Sequence, residues 1–129
     1  MAQIKIYGLR SHLDGVKAQL SDTIHGCVME ALQFPQGKRA HRFIGLEKSD
    51  FYYPDGRTDA YTIIEISMFE GRTVETKKKL IYLLFERIEA EIGIPPSDVE
   101  ITIFETPRQN WGFRGKTGDE VGLDYKVEV

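Results

Sequence analysis

Arginine at position 72 is the residue whose type and placement most directly suggest chemistry. It closes the stretch Tyr61–Arg72, YTIIEISMFEGR, in which β-branched and apolar residues run into a Glu-Gly-Arg turn. A buried strand here would present a guanidinium at its end, and a planar guanidinium can grip a carboxylate through two parallel hydrogen bonds. The competing reading is a helix-entry arginine paired with Glu70 or Glu75. His12, sixty residues earlier, occupies the equivalent turn of the first half of the chain. It either lines a matching cleft or sits as a polar residue near a helix start. Trp111 lies in the glycine-bearing, charged stretch Asn110–Asp119 and outside any periodic segment, so it either walls a cleft or plugs the tail. Arg114 and Asp119 flank it and can pair with each other.

Other chemistries find no footing. His12, His25 and His41 lack metal-ligand spacing, and the single cysteine, Cys27, does not complete a set, so no metal is expected. Cys27 falls on an apolar helical stripe with nothing nearby to lower its pKa, which argues against nucleophilic use. There is no glycine loop of the phosphate-cradling kind, because Gly8, Gly71 and Gly93 mark turns and a helix end. No cofactor is expected. A net charge of -3 with an isoelectric point near 5.6 removes the simplest case for a nucleic-acid partner, and Lys77-Lys78-Lys79 reads as the solvated side of a helix. No apolar run approaches the ~20 residues needed to span a bilayer, and no secretion signal opens the sequence, so a cytoplasmic protein without a membrane partner is expected.

These candidates must be positioned by a chain of 129 residues, the size of one domain. Gln3–Leu9 alternates with period two and predicts a strand. Ser11 is placed to cap a helix carrying Leu13, Val16, Leu20, Ile24, Val28 and Leu32 on one face, with Pro35 as its stop. His41–Leu46 predicts a second strand, and the link up to Asp59 is polar and aromatic with a Tyr-Pro-Asp-Gly turn at Tyr53–Gly56. The pattern then repeats. Tyr61–Phe69 predicts a strand, Thr73 caps a helix built on Leu80, Leu84, Ile88 and Ile92, Gly93 ends it, and Val99–Phe104 is the next strand.

A shift of sixty residues superposes Ile4 on Ile64, Ile6 on Ile66, Lys17 on Lys77, Leu20 on Leu80 and Pro35 on Pro95 without a gap. The predicted fold is therefore α/β (α+β in some schemes): two tandem β-α-β units, about 3–46 and 61–104, followed by a tail, 105–129. Right-handed crossovers give a four-stranded sheet with both helices on one face. That leaves the other face uncovered. Ile63, Ile64 and Ile66 offer apolar groups to both sides, which predicts a homo-oligomer, and Tyr125–Val129 (YKVEV) reads as an edge strand able to pair with a neighbouring subunit.

The duplicated unit, the turn Met68-Phe-Glu-Gly-Arg72, the Pro95-Pro-Ser-Asp98 turn and the tail Asn110-Trp-Gly-Phe-Arg-Gly-Lys-Thr-Gly-Asp119 together resemble the tautomerase superfamily, and within it the malonate semialdehyde decarboxylase-like group. The resemblance covers nearly the whole chain. It implies a homotrimer whose cleft near the N-terminus binds a small keto or enol carboxylic acid. It also implies a chain-terminal proline that moves a proton between carbon and oxygen while arginines hold the carboxylate. Here the matching position is Ala2, a primary amine only if Met1 is removed. Lys38 stands where the decarboxylase has an acid, and Glu70 where it has the first of two arginines, leaving Arg72 as the second. By the same resemblance Trp111 walls the cleft, while Arg39 and Arg114 face it. The sequence thus supports a weak, cofactor-independent tautomerase. Its rivals are a non-catalytic trimeric module that binds small acids or serves assembly, and a plain ferredoxin-like domain.

Overall fold

A computed structural model describes residues 2–129. Strand β1 (Ala2–Leu9) leads without a loop into helix α1 (Arg10–Leu32), and β2 (His41–Leu46) returns beside it; β3 (Thr62–Phe69), α2 (Val74–Ile92) and β4 (Val99–Thr106) repeat the pattern. The sheet order is β2-β1-β3-β4, with β1∥β2, β3∥β4 and an antiparallel centre in which Ile4 faces Ile66 and Ile6 faces Ile64. The two halves thus meet back to back along β1 and β3.

The hydrophobic periods place the core as expected. Ile4, Ile6, Ile64, Ile66 and Met68 point to the helix side, where Leu13, Leu20, Ile24, Val28, Leu80, Leu84 and Ile88 meet them, all buried. Each such side chain contributes about 1.5–3 kcal/mol by leaving water. Thr73 caps α2 by accepting from the Thr76 amide at 3.1 Å, and Gly93 ends it at φ 84°. The start of α1 differs from expectation. Its N-cap is Leu9, which offers no side-chain bond, so Ser11 lies inside the first turn and does not cap. Its end is set by Gln33 in the left-handed region, ahead of Pro35.

Alternation along β3 divides the three isoleucines: Ile64 and Ile66 point inward and Ile63 turns to the open face. The chain covers the ends of this face itself. Residues 47–61 lay Phe51 and Tyr61 over Leu9 beside Leu46, Tyr53 and Ile63. At the other end Trp111 and Phe113 pack against Phe69 at centroid distances of 5.2 and 6.0 Å. Between these caps the face is mixed, with Gln3, Ser67 and the Lys5–Glu65 pair at 3.9 Å beside Phe104, which is 51% exposed.

The two caps are related by the same offset as the halves. A 3₁₀ turn at Lys48–Asp50 matches one at Arg108–Asn110, and Phe51 and Tyr53 match Trp111 and Phe113, each sixty residues on. Past this point the halves diverge. The tail forms a two-residue hairpin, β5 (Gly112–Phe113) with β6 (Lys116–Thr117), turning through Arg114 and Gly115 at positive φ. Tyr125–Val129 is not a strand among the described residues, and its end folds back on the start of α2 through the Val129 carbonyl.

Candidate functional site

The end of β3 organises the site. Glu70 donates its amide to the Thr106 carbonyl at 3.0 Å, tying the ends of β3 and β4 together, and Gly71 then turns at φ 131°, a conformation glycine accepts freely. The turn sends Arg72 back over the strand end. Its Nη1 donates to the Phe69 carbonyl at 3.1 Å and its guanidinium lies 5.5 Å from the centre of the Phe34 ring.

Arg72 is only 5% exposed, so it does not stand at the mouth of an open cleft as its strand-end position suggests. Neither Glu70 nor Glu75 pairs with it among the described residues, which removes the helix-entry reading. Its Nε and Nη2, the two donors of one guanidinium edge, are buried without a hydrogen-bond partner. Burial pulls its pKa below the ordinary arginine value, and Tyr125, Glu105 and Glu128 oppose that. The nearby acids are otherwise engaged, Glu105 with Lys77 at 2.7 Å and Glu128 with Arg108 at 3.6 Å. A buried donor pair left unmet costs about 1–3 kcal/mol per group, and among the described residues no acceptor meets this edge.

Ala2 lies near this strand end. It pairs in register with Met68, which in turn pairs with Glu105, and Met68 immediately precedes the residue whose carbonyl holds Arg72. The Ala2 side chain is 4% exposed and points to the helix side. Whether Met1 precedes it lies outside the described residues.

Alternation along β1 turns the next residue, Gln3, to the opposite side. There it lines a cleft of about 350 Å³ with Ser67, Phe104, Glu105, Asn110 and Trp111. Trp111 packs edge-on against Phe69 and lines this outer cleft, which neither Arg72 nor Ala2 lines. Gly118 is what lets the tail close so tightly. A β-carbon there would collide with the Arg108 carbonyl and come 3.0 Å from the Phe69 ring.

The other expected residues fall elsewhere. Arg39 is held by Asp22 at 2.7 Å and by the Ser21 hydroxyl at 3.3 Å, on the far flank of α1. Arg114 reaches the Gly122 carbonyl at 3.4 Å and lies over Phe113, and it forms no ion pair with Asp119. His12 has its Nε2 buried without a partner. Cys27 is fully buried, its thiol pointing at the Leu83 carbonyl, and burial pushes it up to about 11, which suppresses the thiolate.

Phe34, Tyr125 and Val127 pack about Arg72 and its turn and were not singled out as site residues by the sequence. Phe34 follows the end of α1, beyond the helical period, and its ring meets Tyr125 at 4.6 Å. The signal available was Val127, an apolar residue between two charged ones, here 1% exposed.

Comparison with known proteins agrees with this geometry. The family profile described as "Tautomerase enzyme" matches residues 38–114. The chain is 31% identical over 100 residues to the probable tautomerase YusQ of Bacillus subtilis (strain 168), covering 74% of this chain and 79% of that protein. Among solved structures, it is similar to FG41 malonate semialdehyde decarboxylase inhibited by 3-bromopropiolate, with 28% identity, a TM-score of 0.78, and coverage of 86% and 88%. It is also similar in fold to the wild-type asymmetric trimer of F6 fused 4-OT, with 23% identity, a TM-score of 0.80, and coverage of 94% and 99%.

Proposed function

We propose that this chain, which belongs to the tautomerase family, moves a proton between carbon and oxygen of a small keto or enol carboxylic acid, slowly and without a cofactor. The observation that carries the proposal is the buried, unmet Nε–Nη2 edge of Arg72. A carboxylate has the fork that satisfies both donors at once, and a charge-assisted pair shielded from water is strong. The similarity to a malonate semialdehyde decarboxylase and to a probable tautomerase supports the substrate class.

The proton carrier in this reading is the α-amino group of Ala2, after removal of Met1. An α-amine titrates near ~7.7–8.0, and a desolvated site beside a guanidinium lowers that towards the value a base needs at neutral pH. The amine takes a proton from one position of the substrate and returns it to the other, while Arg72 holds the carboxylate and steadies the enolate charge. Trp111 acts as a wall that keeps water from the strand end. Arg39 and Arg114, held by Asp22 and the Gly122 carbonyl, must exchange those partners to take part.

A second reading has its own observation: alanine occupies the position where the family resemblance places a proline. On that reading the chain is a trimeric module that binds small acids, or serves assembly, without turnover. Ketonisation of phenylenolpyruvate, with the N-terminus verified by intact mass, separates the two. Weak turnover by a chain starting at Ala2, raised at least about ten-fold (about 1.4 kcal/mol of barrier) by Ala2→Pro, supports catalysis. Inertness of both proteins, with phenylpyruvate still bound, supports the module. The trimeric fused 4-OT neighbour supports self-association, and we propose a homotrimer here too. Light scattering that shows a monomer at micromolar concentration overturns that part.

A further inference from the structure

We propose that residues 125–129 form a strap that closes over Arg72 and must lift before a carboxylate reaches the unmet edge of its guanidinium; this rests on the carboxylate reading above. The segment has no strand or helix. It is pinned at three places. The Val129 carbonyl accepts the Thr73 amide at 3.1 Å, Val127 is buried at 1% exposure, and the Tyr125 ring lies 4.6 Å from that of Phe34, the same ring that carries Arg72. Outside these anchors Glu128 makes one long pair with Arg108, its own side chain 74% exposed.

Gly71 is shaped to receive the strap. A β-carbon at this position would come 3.0 Å from Val127 Cγ1, and the φ of 131° already disfavours a side chain there. The valine therefore seats directly against the turn that aims Arg72. With the strap down, Nε and Nη2 are buried and no described residue accepts from them. Closed and empty is thus the least satisfied arrangement of the site, open lets water meet the edge, and closed over a carboxylate satisfies everything. Segments without regular secondary structure open locally without global unfolding, and this one lies against the turn that aims Arg72.

Arginine modification by phenylglyoxal, read by peptide mass spectrometry, tests the strap. Exposed Arg10 serves as the internal reference. In the full chain Arg72 is expected to react at least about ten-fold more slowly than Arg10. Val127→Gly should bring the two rates to within about three-fold, and the milder Val127→Ala should fall between, with the far-UV spectrum of both variants unchanged. Wild-type Arg72 reacting as fast as Arg10, or slow modification that neither folded variant accelerates, overturns the strap. If both variants lose the native spectrum, Val127 anchors the whole fold and the strap is likewise overturned. Phenylpyruvate supplies the separate check on the underlying reading. If the strap variants unmask Arg72 but phenylpyruvate does not protect it, the strap stands and the carboxylate reading falls. Protection without any effect of the variants means the reverse.

Discussion

Replacing Arg72 by methionine keeps the aliphatic part of the side chain while removing the guanidinium, and with it the charge. The substitution forfeits the charged hydrogen bond from Nη1 to the Phe69 carbonyl, worth about 1.5–3 kcal/mol. It also forfeits the contact with the Phe34 ring, about 0.5–2 kcal/mol. Against that, it relieves two buried donors without partners, about 1–3 kcal/mol each, and the burial of an unpaired cation, which adds further kilocalories. The gains at least match the losses, so the variant should be as stable as wild type or up to about 3 kcal/mol more stable. At roughly 4 °C per kcal/mol the melting temperature should hold or rise by several degrees. Binding of phenylpyruvate, measured by calorimetry, should disappear. Urea titration in carboxylate-free buffer supplies the stability. A loss of more than about 2 kcal/mol, with phenylpyruvate still bound, refutes the reasoning and makes Arg72 a structural residue.

His41 gives a pH dependence. Burial, with His25 and Arg39 nearby, holds its imidazole down to about 4, while its Nδ1 shares a 2.8 Å hydrogen bond with Ser21. Because the folded value lies below the unfolded one near ~6.5, the neutral ring contributes stability above that pH, and the contribution is lost as pH falls towards 4. Urea titrations should show stability falling by an amount on the order of 2 kcal/mol over this window, with His41→Gln flattening the slope; an unchanged slope counts against it. Gly118→Ala forces its methyl into the Arg108 carbonyl and the Phe69 ring, so the tail hairpin should shift and the emission of Trp111 should move to the red. An unchanged spectrum means that the tail adapts freely. Thr73→Ala removes the cap of α2 and should cost about 1 kcal/mol in urea titration; no measurable change would show that the Thr76 amide finds another acceptor.

What the sequence made legible was whatever repeats with a short period. The helix faces through Leu20, Ile24, Leu80 and Leu84, the alternation at Ile4 and Ile6, and the sixty-residue offset all depend on local spacing, and the four-stranded sheet follows from them. Tyr125–Val129 shows the limit of that method. Its alternation is real, since Val127 is buried between exposed Lys126 and Glu128, but burial of alternate residues does not by itself make a strand. The segment consequently became a strap and not a strand. The covering of the ends of the open face by Phe51 and Trp111 is long-range and leaves no local signature. A wider use of the offset would have paired Phe51 with Trp111 and Tyr53 with Phe113, revealing both caps. The spacing placed Arg72 just past the end of a buried strand, but its two unmet donors depend on how Phe34 and the tail close around it, which no local pattern encodes.

The most direct measurement is the ¹⁵N–¹H signal of the Arg72 side-chain Nε, assigned by comparison with Arg72→Met and followed while phenylpyruvate is added. The account predicts a saturable downfield shift of this one arginine signal as its buried edge gains a carboxylate, with no shift when the corresponding amide is added instead. An Arg72 signal that stays still while phenylpyruvate binds elsewhere, or that responds equally to the amide, contradicts it.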